Sequence, residues 1–202
     1  LSETPVILSD TSEMFKIRTR HSGHGQVGNA ACCEWAPKDH QIIVDGVPRF
    51  TWNIWRENAC GENPNIRQGG TWPYAREGWC PGDLVPDFEH ELTPYVLAGD
   101  TVMLDYDIND VPVDDPGQAG GNYIVAMDLV SYSAPNFQHD AAIADILNPN
   151  SYEYYSKWNP TCSNPRIILQ NNGEQPLTEC TIRVWLVHGN WQEYHWTGNL
   201  AF

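Results

Sequence analysis

The stretch QIIVDGVPRFTWNIW, Gln41 to Trp55, decides the fold class. Gln41 to Val44 and Arg49 to Trp55 are alternating or β-branched runs, and Asp45-Gly46 stands between them. A DG pair in that setting is a strong hairpin signal, because both central residues tolerate the positive φ that a two-residue turn demands. Working outward, runs of the same kind recur at Met14 to Arg20, Thr101 to Ile108 and Tyr123 to Tyr132, each bounded by turn formers. Helix-period apolar patterns are nearly absent. The reading is an all-β protein.

The 202 residues suffice for one large β domain, or for a medium one with a smaller companion. A formal net charge of −15, from 11 Lys and Arg against 26 Asp and Glu, argues against nucleic acid and anionic membrane surfaces, which the summed field repels. No apolar run reaches the roughly 18 residues that a spanning helix needs. There is no signal-peptide pattern at Leu1, so the numbering is expected to begin after processing or trimming. Six cysteines, nine tryptophans and 15 prolines with few lysines fit an exported protein whose cysteines pair. No CxxC or HxxxH spacing supplies a tetrahedral ligand set, so neither metal nor cofactor is expected.

Three stretches read as loops. His21 to Ala31 is polar and glycine-rich and holds His21, His24 and Asn29; Cys60 to Asp87 is turn formers and aromatics; Val111 to Asn122 contains DDPGQAGG. Long loops in compact domains tend to carry function, and the cysteines and tryptophans of the second argue for order. Beyond Tyr132 the character changes. Residues 1–133 are expected to form one domain, 134–160 a linker with a short helical stretch near Ala141 to Leu147, and 161–202 a second module. That module reads as three strands, Asn164 to Gln170, Glu179 to Leu186 and Trp191 to Trp196, with Cys162 and Cys180 placed to staple the first to the second. It is the opening of an immunoglobulin-like sandwich, which needs about seven strands to close, so further domains or strands of the same polypeptide, or a partner, are expected.

SGHG (Ser22 to Gly25), CCEW (Cys32 to Trp35), His40, ACGENP (Ala59 to Pro64) and GTWPYAREGWCPG (Gly70 to Gly82) together resemble the signature region of the peptide-N-glycosidase F C-terminal domain family, from Met14 to about Ser133. The order and spacing of Glu34, Cys60, Arg76, Trp79 and Cys80 carry the resemblance. It implies an eight-stranded jelly roll and a Cys60 to Cys80 bridge. It also implies an activity, hydrolysis of the amide joining an N-linked glycan to asparagine, performed by acidic residues in a cleft between two jelly rolls. Glu34 and Arg76 match cleft residues of that family and are the catalytic candidates, a carboxylate beside a guanidinium being able to orient water and polarise an amide. His24, Trp72 and Trp79 are the substrate-binding candidates, the indoles for stacking on sugar rings. Trp35 is read as core packing.

Two departures from the family pattern bear on function. The family's catalytic aspartate belongs to an N-terminal jelly roll, and only Leu1 to Glu13 precede this domain. The family also pairs the cysteine two before the glutamate with one two after it, and here that later position is Ala36. Cys32 is instead followed by Cys33, leaving a vicinal bridge, pairing elsewhere or free thiols open. Asp83, Asp87 and Glu57 are read as solvated loop carboxylates, and His21 and His24 as hydrogen-bonding loop residues rather than metal ligands. The second module, ending in Trp196-Thr197-Gly198, looks like modules of secreted multidomain proteins of the Bacteroidetes.

The expected function is a secreted or cell-surface module, non-catalytic by itself, that binds an N-glycan, a glycoprotein or another surface protein. The alternative is an amidohydrolase whose missing acid comes from outside these residues. A third reading, a structural spacer, predicts that Glu34 and Arg76 point apart.

Overall fold

The computed structural model describes residues 2–27, 32–63, 71–109, 120–151, 164–185 and 189–202. The chain divides into two compact units, Leu1–Ser133 and Ala134–Phe202.

The hairpin read from Asp45-Gly46 is present. Strands β5 (Asp39–Val44) and β6 (Val47–Asn53) pair antiparallel with Val44 opposite Val47. Asp45 and Gly46 have φ of 51° and 74°, the left-handed pair that suits a two-residue turn. Pro48 is tolerated because β6 is an edge strand, where a missing N–H breaks no ladder. On its other side β5 pairs with β8 (Thr101–Ile108), and β1 (Thr4–Ile7) adds to β8 to give the sheet β1-β8-β5-β6. A second sheet has the order β7-β2-β9, from β7 (Asp87–Glu91), β2 (Met14–His24) and β9 (Asn122–Tyr132). A short ribbon of β3 (Gln26–Val27) and β4 (Cys32–Cys33) follows the end of β2.

The two sheets face each other across a shared core. Alternation along β2 turns Phe15, Ile17, Thr19 and His21 inward, and β5 and β8 answer with Ile42, Val44, Val102, Leu104 and Tyr106. Each fully buried aliphatic or aromatic side chain contributes about 1.5–3 kcal/mol. The core changes character along its length. Phe15, Ile17, Val44 and Leu104 make one part wholly apolar, whereas Thr19, His21, His40 and Tyr106 make the rest polar, on the side where β2 runs into Ser22 to His24.

The structure corrects several local readings. β2 continues past Arg20 to His24, so His21 is a core residue and not a loop residue; Asn29 lies outside the described residues. The stretch 60–87 does hold a short helix, α1 (Ala59–Glu62), and β1 and β7 are strands that local sequence did not announce. Most of the DDPGQAGG loop lies outside the described residues.

In the second unit, β10 (Ala141–Asn148) pairs with β11 (Arg166–Asn171), and β12 (Leu177–Trp185) with β13 (Trp191–Leu200), both antiparallel. The stretch read as linker with a helical turn therefore carries a strand. Its alanines and leucine suit a helix in isolation, but pairing with β11 decides, as is usual for a weak propensity. Of the expected Cys162 to Cys180 staple, Cys162 lies outside the described residues, and Cys180 is a half-buried thiol outside any disulfide among the described residues. Ile167, Leu169, Ile182, Val184, Tyr194 and Trp196 line an open trough of about 630 Å³ in this unit.

Candidate functional site

Three pieces of chain converge at the polar side of the first unit: the end of β2, the turn after β4, and the segment 71–80. Backbone hydrogen bonds lace them together. Gly23 N–H donates to the Glu77 carbonyl at 2.9 Å, Glu77 N–H to the Glu34 carbonyl at 3.0 Å, and Glu34 N–H to the Gly25 carbonyl at 3.2 Å. Only glycine fits at position 23, since a Cβ there would fall 1.7 Å from the Cys33 carbonyl oxygen. Cys32 and Cys33 form a vicinal disulfide, and Cys60 and Cys80 form the bridge that the resemblance implies.

Arg76 is the hub of this arrangement. Its side chain is 4% exposed, and Nε donates to Glu34 Oε1 at 3.0 Å. Nη1 donates to the Trp72 and Tyr74 carbonyls at 3.3 and 3.0 Å, and Nη2 to the carbonyl and hydroxyl of Thr71 at 2.8 and 2.9 Å. A guanidinium has five N–H donors, and all five are engaged. Trp35 and Trp79 lie 4.5 and 5.1 Å from the guanidinium carbon, within cation–π range. Arg76 thus ties a loop and a carboxylate together, with no donor left for a ligand. Glu34, 18% exposed, keeps its second oxygen outside this pairing.

Glu34 and Arg76 do not point apart, contrary to what the spacer reading predicts. Trp79 and His24 lie side by side, ring centroids 5.1 Å apart, and His24 Nε2 is 2.8 Å from Ser22 Oγ. Trp79 Nε1–H donates to the Gly23 carbonyl at 2.8 Å, so its N–H is already engaged. Trp72 joins the site through its carbonyl. Trp35, read as core, is half-buried against Arg76 instead. Of the candidate replacement acids, Asp83 departs from its reading, being 3% exposed and paired with Arg56 at 2.7 Å; Asp87, exposed at the start of β7, accepts two bonds from Arg20 at 2.7 and 2.8 Å, and Glu57 is exposed in a turn with φ of 39°.

Behind this surface lies a buried polar cluster that sequence reading missed. Glu77 is fully buried, and its Oε1 accepts from Lys38 N–H and faces His40 Nε2, both at 3.1 Å. His40 Nδ1 is hydrogen-bonded to the Tyr106 hydroxyl. His21 stacks on His40 at 4.8 Å and accepts from Trp52 Nε1–H at 3.1 Å. Burial, with His40 and His90 nearby, lowers the His21 pKa to about 3, so it is neutral and contributes no charge. The available signal was the Arg76-Glu77 dipeptide: in extended chain, neighbours face opposite ways, so a loop-facing arginine puts the next carboxylate inside. Among the described residues no group of three His, Cys, Asp or Glu side chains is placed to hold a metal ion.

These features have close counterparts. The family model "Peptide-N-glycosidase F, C terminal" matches residues 4–130. The peptide-N(4)-(N-acetyl-beta-D-glucosaminyl)asparagine amidase F of Elizabethkingia miricola is 28% identical over 138 residues, 63% of this chain and 38% of that protein. PNGase F, a glycosylasparaginase from Flavobacterium meningosepticum, superposes with a TM-score of 0.59 at 25% identity, covering 66% of this chain and 44% of that one. PNGF-II shares the fold with a TM-score of 0.52 at 21% identity, over 65% of this chain and 24% of its own. The chain therefore spans less than half the length of these relatives. Through residues 4–130 the chain belongs to the peptide-N-glycosidase F family, as its C-terminal domain.

Proposed function

We propose that the first unit presents one wall of a site for the asparagine-linked core of an N-glycan, and that by itself it binds without cleaving. The observation that carries this reading is the division of labour between Glu34 and Arg76. Arg76 spends all its donors on Glu34, Thr71, Trp72 and Tyr74, so a carboxylate is held in place on a surface flanked by half-buried Trp35, Trp79 and His24. A fixed acceptor beside flat apolar faces suits a sugar, whose hydroxyls and amide donate hydrogen bonds while its ring stacks. The relative's name states an amidase acting on N-acetylglucosaminyl-asparagine, which is the same ligand chemistry.

Cleavage asks for more than one pre-oriented carboxylate. Groups that act as a unit are non-additive, and half of one retains little of the rate. The amidase reading is kept alive by the second oxygen of Glu34, which can accept a proton from an attacking water if a second acid, brought in by further sequence, protonates the leaving glycosylamine nitrogen. Export to the cell exterior or surface fits the two disulfides, and no helix among the described residues is long and apolar enough to cross a membrane.

The test is to incubate the purified chain with a denatured N-glycosylated protein, reading glycan release by mass spectrometry. In parallel, binding of a peptide carrying asparagine-linked N,N′-diacetylchitobiose is titrated by calorimetry. Binding without release, weakened in Glu34→Gln, is the expected result. Release that disappears in Glu34→Gln replaces it with the amidase reading, and absence of both binding and release overturns both.

A further inference from the structure

The Glu34–Arg76 pair has a second pair directly beneath it, built from the next residue in the chain. Glu77 follows Arg76, and its backbone is part of the site: its N–H holds the Glu34 carbonyl, its carbonyl holds Gly23 N–H, and it bridges Trp55. Its side chain turns the other way, into the sandwich, and reaches His40 on β5 and the Lys38 amide. Glu77 and His40 are each 0% exposed. A buried carboxylate is costly unless well paired, and this one has an oxygen, Oε2, with no hydrogen-bond partner among the described residues. A residue retained only for stability gains little here, since an apolar side chain of similar volume is often as good or better.

The hydrogen-bond roles follow from the ends of the chain of contacts. Glu77 Oε1 already accepts from Lys38 N–H, so His40 supplies its Nε2–H to that oxygen and its Nδ1 accepts from the Tyr106 hydroxyl, whose pKa burial raises far above its ordinary value. Tyr106 is on β8 and His40 on β5, so the relay ends in the middle of the four-stranded sheet.

We propose that Glu77, anchored by His40, is the positioning residue of the site: it ties the segment that carries Arg76 and cradles Glu34 to the core sheet, fixing where the Glu34 carboxylate points. The proposal rests on Glu34 as the ligand-facing acid. It acts through backbone and does not place Glu77 in contact with ligand.

Glu77→Leu removes the anchor, while Glu77→Gln and His40→Gln preserve an acceptor and a donor respectively. With the chitobiose-asparagine peptide as probe, Glu77→Leu is expected to bind about tenfold more weakly, the scale of one unmatched polar group, and the two glutamine variants to stay within about threefold of wild type. Equal affinity of folded Glu77→Leu and wild type would overturn the proposal by reducing Glu77 to a structural residue. Hydrogen exchange on the unmodified protein supplies an arm that needs neither a variant nor a ligand. The Glu34 and Glu77 amides are expected to exchange with the β5 amides as one cooperative unit. Exchange orders of magnitude faster than β5 sinks the proposal even if Glu77→Leu fails to fold. If wild type binds no peptide while the amides are protected, the ligand reading fails and the anchoring stands.

Discussion

The two units use similar alternating strands and treat them in opposite ways. In the first, Phe15, Ile17 and Ile42 are at most 1% exposed; in the second, Trp191, Trp185 and Ile143 are 64%, 55% and 52% exposed. Strand pairing is equally regular in both: β12 and β13 hold register from Glu179 opposite Thr197 to Trp185 opposite Trp191. What differs is how far the sheets close over their inward faces: in the second unit Ile167, Leu169, Ile182 and Val184 line an open trough. Backbone pairing makes a strand, and burial of its side chains makes it stable. A substitution at these buried positions of the first unit should therefore cost several kcal/mol, and one at these exposed positions of the second little.

The largest effect is expected from Phe15→Ala. Phe15 sits in the core with Ile17, Leu92 and Tyr106, and truncating a buried phenylalanine costs about 3–5 kcal/mol. Denaturant unfolding of the whole chain, followed by near-UV circular dichroism, checks it. A loss under about 1 kcal/mol would mean that the first unit is no better packed than the second, and the contrast would collapse.

Next comes the Cys60–Cys80 bridge, which closes a loop of sequence separation 20. Replacing both cysteines by alanine should cost about 3 kcal/mol, as expected for a loop of this size. The effect sharpens the comparison, because the first unit combines a covered core with covalent ties while Cys180 in the second is outside any disulfide among the described residues. Equal unfolding midpoints for the double variant and wild type would show that the hydrogen bonds of Arg76, Glu77 and Trp79 hold the aromatic segment without the bridge.

Much of the first unit was legible because its signals are local. Asp45-Gly46 announces a turn that only positive φ satisfies, and the order of Glu34, Cys60, Arg76 and Cys80 identifies the family. What was illegible depends on partners far along the chain. Asp87–Glu91 was not among the strands read from the sequence and is β7 by pairing with β2. Ala141–Asn148 has helix formers and becomes β10 only because β11 pairs with it. His21, Trp35 and Glu77 were misplaced or missed for the same reason: burial is a property of the far side of the sandwich, which residue type does not reveal. Arg76 was singled out from the sequence, but only geometry shows its five donors already engaged.

A third effect, of middle size, comes from the polar part of the core. The His21 pKa, lowered to about 3, lies below the 6.5 expected for an unfolded histidine. Between those values the unfolded chain binds the proton that the folded chain refuses, so stability falls as pH falls through the window and is fully present above it. The change is at most about 1.4 kcal/mol per pH unit, giving roughly 2 kcal/mol between about pH 6 and pH 4. His21→Gln, which cannot titrate, should flatten the profile by that amount relative to wild type in denaturant titrations at matched pH. Parallel profiles would mean that His21 is reached by water when folded.

The smallest effect is the one on which the comparison turns. Trp191 is opposite Trp185 across the β12–β13 ladder, with ring centroids 6.2 Å apart. Such a cross-strand aromatic pair contributes about 0.2–1 kcal/mol, and with 64% of Trp191 exposed there is little further burial to lose. Trp191→Ala should therefore cost less than about 1 kcal/mol, several times less than Phe15→Ala although it removes a larger side chain. Measured by the same unfolding assay, a cost above about 2 kcal/mol requires burial that an open ladder does not provide. The face of β12 and β13 that carries Trp185 and Trp191 would then be covered in solution, and the difference between the units would be one of partners and not of strands.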